Sequence, residues 1–345
     1  MTAATVPDAA GEFEPEIVSG PYFEELELGQ RFDSAPAVTL TDGQAALHQA
    51  ILGDRLRLPL DHGLAMSVVG GGPLAHPALV WNMAIGQSTL ATHHVIANLF
   101  YRGLVLRRLP CLGDTLRTTT EVVGLRQNRQ RPGRPPTGLV ALRVSTLDQQ
   151  GRPVLEFWRC AMLPLANPDS TPGPADDLDA IGSDADDERM AEGLAHWDLA
   201  AYREHVPGPH FGGVPAGRRL RVATGDVVSS APELARLTLN IAAVHHDAPV
   251  GGRRLVYGGH TIGLAMAQLC RALPDLVTIV GWHSCDHTGP VYEGDTVTSE
   301  IHVERTVPLT AGGGLLHLQV TTVARAVGSD ESRPVLDWRP VGVLA

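Results

Sequence analysis

The 345-residue chain contains no lysine, since all 27 of its basic residues are arginine. This absence excludes a lysine Schiff base, a phosphate-loop lysine and a lysine general base. Aromatic residues make up only 5% of the chain, and no run of about 18 apolar residues is present to form a membrane-spanning helix. Hydrophobic residues at 43% and charged residues at 19% predict a soluble globular protein of about two domains.

Cysteine is also scarce. The four cysteines are widely spaced and form no CxxC pair, and they are Cys111, Cys160, Cys270 and Cys285. The N-terminal stretch MTAATVPDAAGEFEPE is acidic and lacks the apolar core of a signal peptide. We therefore expect a cytoplasmic protein whose cysteines are reduced and buried.

The common catalytic signatures are absent as well. The chain has no GxGxxG after a strand, no GxxxxGK[ST], no GxSxG, no HExxH and no Cys/His zinc spacing. His93-His94 and His245-His246 are adjacent pairs, whose side chains diverge on a helix or strand and cannot share one ion. We therefore expect no metal site.

The net charge of −11 is concentrated in one segment. Between Asp169 and Glu192 nine acidic residues face Arg189 alone, which places −8 there and leaves −3 for the rest of the chain. This segment is rich in Pro, Asp and Ser, which predicts a solvated linker at 166–195. The nearly neutral remainder carries no basic patch, so we expect neither a nucleic-acid nor a membrane partner.

The regions on either side of the linker share one order of predicted elements. In each, helices precede a run of strands, and one long strand opens with Gly-Asp-Thr, at Gly113 and again at Gly294. Helices followed by an uninterrupted antiparallel meander predict an α+β protein with a helix packed on one face of each sheet. The predicted helices are 41–53, 76–87, 231–246 and 258–274, and the predicted strands are 94–106, 109–126, 137–148, 153–165, 276–288, 289–307, 314–327 and 334–344.

A polar cluster in the second region carries the strongest chemical signal. Asn240 and His245 stand five residues apart around the end of a predicted helix, and Asp247 could orient the turn through side-chain to backbone bonds. Tyr257-Gly258-Gly259-His260 then opens the next helix, where free backbone N–H groups can stabilise an oxyanion. An amide, an imidazole and a glycine N–H together suit the activation of water beside a carbonyl.

These residues resemble the MaoC-like dehydratases, the (R)-specific enoyl-CoA hydratase group of the hot-dog fold. Asn240 stands at the position of the family's first aspartate, His245 at its histidine and Asp247 at the acid two residues later. Val256-Tyr257-Gly258 stands at the Leu-His-Gly that opens the hot-dog helix. The segments GPYFEELELGQRF, CLGDTLRTTTEVVGL and RRLVYGGHTIGLA, with His287 and the later GDTV, resemble the double hot-dog mesaconyl-CoA hydratases, also called β-methylmalyl-CoA dehydratases.

This resemblance covers roughly residues 20–165 and 205–342 and implies an α+β tandem hot-dog fold, in which each half is an antiparallel sheet around a central helix. In the first half, Pro59 stands five residues after Asp54, where the family's histidine would be. The resemblance therefore implies a substrate- or CoA-binding first half and one active site, built by the second half. The expected division is a tail at 1–19, a first unit at 20–165, the linker at 166–195 and a catalytic unit at 196–345.

The resemblance also implies a reaction, the reversible hydration of an α,β-unsaturated acyl-CoA. Asn240 would orient the water, His245 would carry the proton, and the Gly258 N–H would bind the thioester carbonyl. Mesaconyl-CoA and β-methylmalyl-CoA are the preferred pair, with itaconyl-CoA or an (R)-3-hydroxyacyl-CoA as alternatives. We expect no cofactor, because CoA is part of the substrate, and a homo-oligomer, because hot-dog sheets commonly pair edge to edge.

Further residues are predicted to contact the substrate or CoA, and they are Arg253, Arg254, Tyr257, Gly259, His260 and His287. The two arginines could bind the CoA phosphates or a substrate carboxylate. A solvated arginine pair and hydrogen-bonded core histidines are the structural alternatives.

Two other functions are compatible with the sequence. A hot-dog thioesterase would place an acidic base on its central helix, and the segment 261–270 contains no Asp or Glu. A non-catalytic acyl-CoA-binding module would explain both Asn240 in place of aspartate and the missing histidine of the first half.

Overall fold

The computed structural model describes residues 15–167, 169, 173–182, 186–247 and 253–345. The helices of these residues are α1 (Asp42–Leu52), α2 (Arg57–Leu60), α3 (His62–Val69), α4 (Pro77–Gln87), α5 (Asp187–Ala191), α6 (Leu199–His205), α7 (Ala231–Leu237) and α8 (Gly258–Ala272). The strands are β1 (Arg31–Phe32), β2 (Val38–Thr39), β3 (Ala97–Leu106), β4 (Thr115–Gln127), β5 (Thr137–Leu147), β6 (Pro153–Pro164), β7 (Arg219–Arg221), β8 (Asp226–Val227), β9 (Leu276–Asp286), β10 (Thr296–Pro308), β11 (Gly314–Arg325) and β12 (Ser332–Leu344).

The strands form one antiparallel sheet in the order β1-β4-β5-β6-β3-β9-β12-β11-β10-β7, with β2 on β4 and β8 on β10. In each half, four long antiparallel strands follow helices and two short edge strands, in the order β4-β5-β6-β3 and β9-β12-β11-β10. The predicted uninterrupted meander holds only for the last three of these strands, because the first, β3 or β9, pairs with the last one of its half. The halves join where β3 pairs with β9, with Tyr101 opposite Cys285 and Leu104 opposite Trp282. The predicted α+β class and the repeated order of elements are confirmed.

The two central helices, α4 and α8, hold the core together. His76 caps α4, because its Nδ1 accepts a hydrogen bond from the Ala78 amide at 3.0 Å, and every residue of α4 is buried. α4 packs on β4 and β5, α8 packs on β10 to β12, and the two helices contact each other. Trp81 of α4 meets Trp282 of β9 edge to face, with ring centroids 5.0 Å apart. The halves therefore share one hydrophobic core.

The two Gly-Asp-Thr segments form matching turns before β4 and β10. Gly113 and Gly294 have φ values of +97° and +87°, a region that glycine occupies at little cost. Asp114 accepts a hydrogen bond from the Cys111 amide at 2.9 Å, and Asp295 accepts one from the Tyr292 amide at 2.9 Å. Both aspartates are therefore turn residues, as the sequence predicts.

The predicted linker at 166–195 is exposed over most of its described residues, but it is not wholly solvated. Leu178 and Met190 are fully buried, and α5 lies against β3 and β9. Asp187 pairs with Arg305 at 2.8 Å and with His317 at 3.0 Å. Apolar residues placed between the acids dock the segment onto the sheet. Residues 168, 170–172 and 183–185 lie outside the described part, and the domain boundaries stay predictions.

The predicted helix 231–246 is wrong beyond Leu237. Thr238 Oγ1 donates to the Leu234 carbonyl at 3.0 Å, and Leu239 has a φ of +58°, which a right-handed helix does not allow. The chain then continues as a turn and a 3-10 turn at Ala243–His245. Asn240 therefore lies in an irregular turn and His245 in a 3-10 turn, and neither lies on an α-helix.

Candidate active site

A cavity of about 680 Å³ lies between the two halves of the molecule, a volume typical of small-molecule sites. The first half contributes the end of α4, the 3-10 turn Ser88–Thr92, β3 and β6, and the second half contributes the loop after α7, the start of α8 and the segment 287–292. Six of the ten predicted site residues line it, namely Asn240, His245, Arg253, Tyr257, Gly258 and His287.

Asn240 is 2% exposed and is fixed in its turn. Its Oδ1 accepts a hydrogen bond from the Ala242 amide at 2.9 Å, and its own amide donates to the Ala235 carbonyl at 2.9 Å. The next amide, of Ile241, donates to Thr89 Oγ1 of the first half at 3.0 Å. Because Oδ1 is engaged, the Nδ2 group is the free end of the side chain, and it can donate to a water or hydroxyl oxygen in the cavity.

His245 presents a basic nitrogen to the same cavity. Its Nδ1 lies 2.8 Å from the Leu255 carbonyl oxygen. A carbonyl oxygen only accepts, so Nδ1 carries the proton and Nε2 keeps its lone pair. Burial lowers the pKa of His245 to about 4, so the imidazole is neutral at neutral pH and can take a proton from water.

Gly258 leaves room for His287 at the start of α8. A Cβ at position 258 would lie 2.6 Å from His287 Nε2, so a side chain there would displace that ring. Gly258 is the first residue of the helix, where backbone amides have no carbonyl partner within the helix. Burial lowers the pKa of His287 to about 4. A neutral histidine and a helix N-terminus therefore meet at one wall of the cavity.

Two predicted residues, Gly259 and His260, face away from the cavity. A Cβ on Gly259 would lie 2.1 Å from Asn82 Oδ1 of α4, so this glycine serves helix packing. His260 is fully buried, its neighbours include His48, and burial lowers its pKa to about 4. Residues 258 and 261 line the cavity, because positions three apart share a helix face whereas positions 259 and 260 point elsewhere. The prediction that Gly259 and His260 contact substrate is therefore wrong for this geometry.

Arg254 and Asp247 also fall outside the cavity. Arg254 forms a salt bridge with Glu293, which also accepts a hydrogen bond from the Ala231 amide at 3.0 Å. Asp247 is exposed, and in the described part of the chain its carboxylate has no hydrogen-bond partner. The turn is held instead by His246, whose Nε2 lies 2.6 Å from the Asn240 carbonyl oxygen.

Arg253 lies at the cavity wall and is exposed. Its guanidinium carbon sits 4.0 Å from the centroid of the Tyr292 ring, a cation–π contact. This cation is placed to meet an anionic group near solvent.

The first half supplies polar cavity residues that the sequence analysis missed. They are Tyr22, Thr89, His94, Asn98, Tyr101 and Arg159. Arg159 interrupts the apolar strand β6, and its backbone position alternates inward with Phe157 and Ala161. A charged residue on the inward face of an apolar strand is the signal that could have identified it.

Comparisons with known proteins identify the family and the fold. The chain is 30% identical over 323 residues to β-methylmalyl-CoA dehydratase of Chloroflexus aurantiacus, with 88% of each chain covered. The structure matches a conserved hypothetical double hot-dog protein of Mycobacterium tuberculosis, RV0216, with a TM-score of 0.89, 56% identity and coverage of 94% of this chain and 99% of that one. It also matches a putative MaoC domain protein dehydratase of Chloroflexus aurantiacus, with a TM-score of 0.81, 26% identity and coverage of 96% and 99%.

The chain belongs to the MaoC-like hydratase and dehydratase family. Its fold is the double hot-dog, and as a member of this family it is an enzyme of the hydro-lyase type. No protein-family model matches the chain.

The cavity of this MaoC-like enzyme is lined by cations. Among the described residues, no Asp or Glu lines the wall, whereas Arg159 and Arg253 both do. Within the same residues no group of three or more His, Cys, Asp or Glu side chains is arranged to hold a metal ion. None of their helices is long and apolar enough to span a membrane. A positive cavity favours an anionic ligand.

Proposed function

We propose that this enzyme catalyses the reversible hydration of mesaconyl-CoA to β-methylmalyl-CoA. The curated relatives are named for these two CoA thioesters. The observation that carries the proposal is the convergence of Asn240, His245 and Gly258 on one cavity whose described lining residues include no carboxylate.

The proposed mechanism uses each of these groups at a stated atom. Asn240 Nδ2 donates to the oxygen of the attacking water, and His245 Nε2 accepts the water's proton as the new C–O bond forms. The Gly258 N–H donates to the thioester carbonyl and stabilises the enolate-like charge that develops there. His245 then returns the proton to the α-carbon, so both additions occur on one face of the alkene.

The same cavity argues against thioester hydrolysis by a carboxylate. A hot-dog thioesterase of that kind needs an acidic base, and none lines the described cavity wall. Hydration needs no cofactor in this proposal, because CoA is part of the substrate and the two histidines are neutral bases. Activity is accordingly expected to persist in the presence of EDTA.

The proposal is tested by following enoyl absorbance and free thiol together, with mesaconyl-CoA and crotonyl-CoA as substrates. Loss of absorbance without thiol release supports hydration, and thiol release supports a thioesterase. His245→Ala is expected to lower kcat by about 10²- to 10⁴-fold, the usual contribution of a general base. His62→Ala, a change at an exposed residue of α3, is the control and should retain full activity. No change with either substrate would support the non-catalytic module.

A further inference from the structure

Arg159 is a buried cation on the wall of the cavity. It lies in the middle of β6 in the first half, is 3% exposed, and lines the same cavity as His245. Tyr101 and Tyr257 lie close enough to affect the pKa of Arg159, and Arg159 in turn helps to lower the pKa of His245. The first half therefore places a cation beside the reacting groups of the second.

The hydrogen bonds of Arg159 go to neutral acceptors only. Its guanidinium donates to Thr92 Oγ1 at 2.7 Å, to the Ser88 carbonyl at 3.1 Å and to Asn98 Oδ1 at 3.5 Å. Its Nε has no partner, and among the described residues no carboxylate lies within ion-pair distance of it.

Four other partly buried arginines are paired with a carboxylate, whereas Arg57 and Arg102, which are more exposed than Arg159, donate to backbone carbonyls. Arg108, Arg254, Arg271 and Arg333 each form a salt bridge with an aspartate or glutamate, although each is more exposed than Arg159. Burying a charge without a counter-ion is unfavourable, so buried charges in proteins are normally paired. The missing counter-ion of Arg159 is therefore the feature to be explained.

We propose that Arg159 binds a free carboxylate on the acyl group of the substrate, which makes the enzyme selective for dicarboxylyl-CoA thioesters. This inference rests on the proposed hydratase function and names the residue that sets its substrate class. The planar guanidinium can donate two parallel hydrogen bonds to a carboxylate, and its buried Nε has no hydrogen-bond partner among the described residues.

The other cations near the site are less suited to this role. Arg254 is held by Glu293, and Arg253 is exposed and stacked on Tyr292. An exposed cation at the wall suits the CoA phosphates, which stay near solvent, whereas a 3% exposed cation suits the acyl end. Arg159 therefore replaces Arg253 and Arg254 as the residue that we assign to the substrate carboxylate.

The test compares two substrates that differ only at the carboxylate. Mesaconyl-CoA and 2-methylcrotonyl-CoA share one skeleton, with a methyl group in place of the carboxylate in the second. The wild-type enzyme is expected to prefer mesaconyl-CoA, and Arg159→Met is expected to lower the ratio of the two kcat/KM values by about 10- to 100-fold, the usual range for a charged hydrogen-bonded pair. Arg159→Lys keeps the positive charge but lacks the planar, two-pronged donor group of arginine. Its ratio of kcat/KM values should therefore lie between those of the wild type and Arg159→Met.

Arg253→Gln is the matched control. This variant should lower kcat/KM by the same factor for both substrates, because any contact between Arg253 and CoA is common to both. If Arg159→Met lowers kcat/KM by the same factor with both substrates, the ratio is unchanged and the assignment is overturned. Arg159→Met is also expected to unfold at the same urea concentration as the wild type or a higher one, because it removes a buried charge without a partner. If Arg159→Met does not fold, the ratio of the two kcat/KM values in Arg159→Lys tests the assignment instead. A lowered ratio supports the assignment, and an unchanged ratio overturns it.

A binding measurement separates failure of this inference from failure of the proposed function. The saturated analogues methylsuccinyl-CoA and 2-methylbutyryl-CoA cannot be hydrated, and calorimetry gives their Kd values without turnover. Tighter binding of methylsuccinyl-CoA that is lost in Arg159→Met supports the carboxylate site even if no enoyl-CoA is hydrated. Equal Kd values in the wild type overturn it even if crotonyl-CoA is hydrated.

Discussion

His245 differs from an ordinary surface histidine because burial holds its imidazole neutral. Its ring lies 5.7 Å from that of Tyr257, and the charges of His246 and Arg159 oppose its protonation as well, whereas the Leu255 carbonyl favours it. These effects lower the pKa of His245 to about 4, well below the usual value of 6.5. The free base is therefore present throughout the neutral range.

The pH dependence of hydration follows from this shift. We expect kcat/KM to be level from about pH 8 to pH 6 and to fall only as the pH approaches 4, because kcat/KM reports the pKa of the free enzyme's base. An acid limb centred near 6.5 would contradict the assignment of His245. His287 has a similarly lowered pKa and could also produce the acid limb near pH 4. If the limb persists in a His287→Gln variant, it belongs to His245.

Circular dichroism at each pH is the necessary control. In the unfolded chain, His48, His245, His260 and His287 bind protons below about pH 6.5, whereas in the folded chain their lowered pKa values keep them neutral until about pH 4 or below. The unfolded state thus binds more protons, and the free energy of unfolding falls as the pH decreases through this window.

Single residues of the site were predictable only where the chain itself places them together. Asn240, His245 and Gly258 come from neighbouring segments, and their spacing indicated a common site. Arg159 and Thr89 reach the same cavity from the other half, by way of the pairing of β3 with β9 and the packing of α4. No pattern of neighbouring residues in the sequence indicates that these segments of the two halves meet.

At the scale of elements, α4 controls the loop that carries Asn240. A Cβ on Gly86, near the end of α4, would lie 1.7 Å from the Thr238 carbonyl oxygen. This close approach, together with the positive φ of Leu239, ends α7 at Leu237, well before the end at His246 that the sequence predicts. Helix propensity extended the prediction to His246, and a tertiary contact stopped the helix at Leu237.

Gly86→Ala is expected to push the Asn240 loop away from α4. Overpacking of this kind typically costs about 1–3 kcal/mol, and the displaced loop should also lower kcat. Gly43→Ala is the matched control, because Gly43 is an exposed helical glycine whose Cβ would meet only Thr41 Oγ1 at 3.9 Å. Urea unfolding and hydratase assays of both variants measure the effect. Equal stability and activity in the two variants would show that the close approach has no consequence.

For the whole molecule, the duplication was visible in the sequence but the joining of the halves was not. The matching turns at Gly113 and Gly294 and the repeated order of elements indicated two units. The sequence did not indicate that they form one sheet and one core, because strand pairing between β3 and β9 depends on long-range packing. The acidic segment illustrates the same limit, since its composition concealed the buried Leu178 and Met190. The expected homo-oligomer stays a prediction.

The shared core predicts that the halves unfold together. Trp81 of the first half contacts Trp282 and Trp338 of the second, with centroids 5.0 and 6.2 Å away, and all three rings are fully buried. Trp81→Ala should therefore destabilise both halves, by about 3–5 kcal/mol. Far-UV circular dichroism and the fluorescence of the remaining tryptophans, Trp158 in the first half and Trp197, Trp282 and Trp338 in the second, should shift to lower urea concentration in one coincident transition.

Trp158→Ala is the control for this prediction, because Trp158 lies on β6 of the first half and is only partly buried. It should shift the transition less than Trp81→Ala does. Two separate transitions in Trp81→Ala would show that the halves are independent units. A single transition instead means that the catalytic loop, Arg159 and the cavity between them are maintained by one cooperative structure, so that loss of either half removes the site.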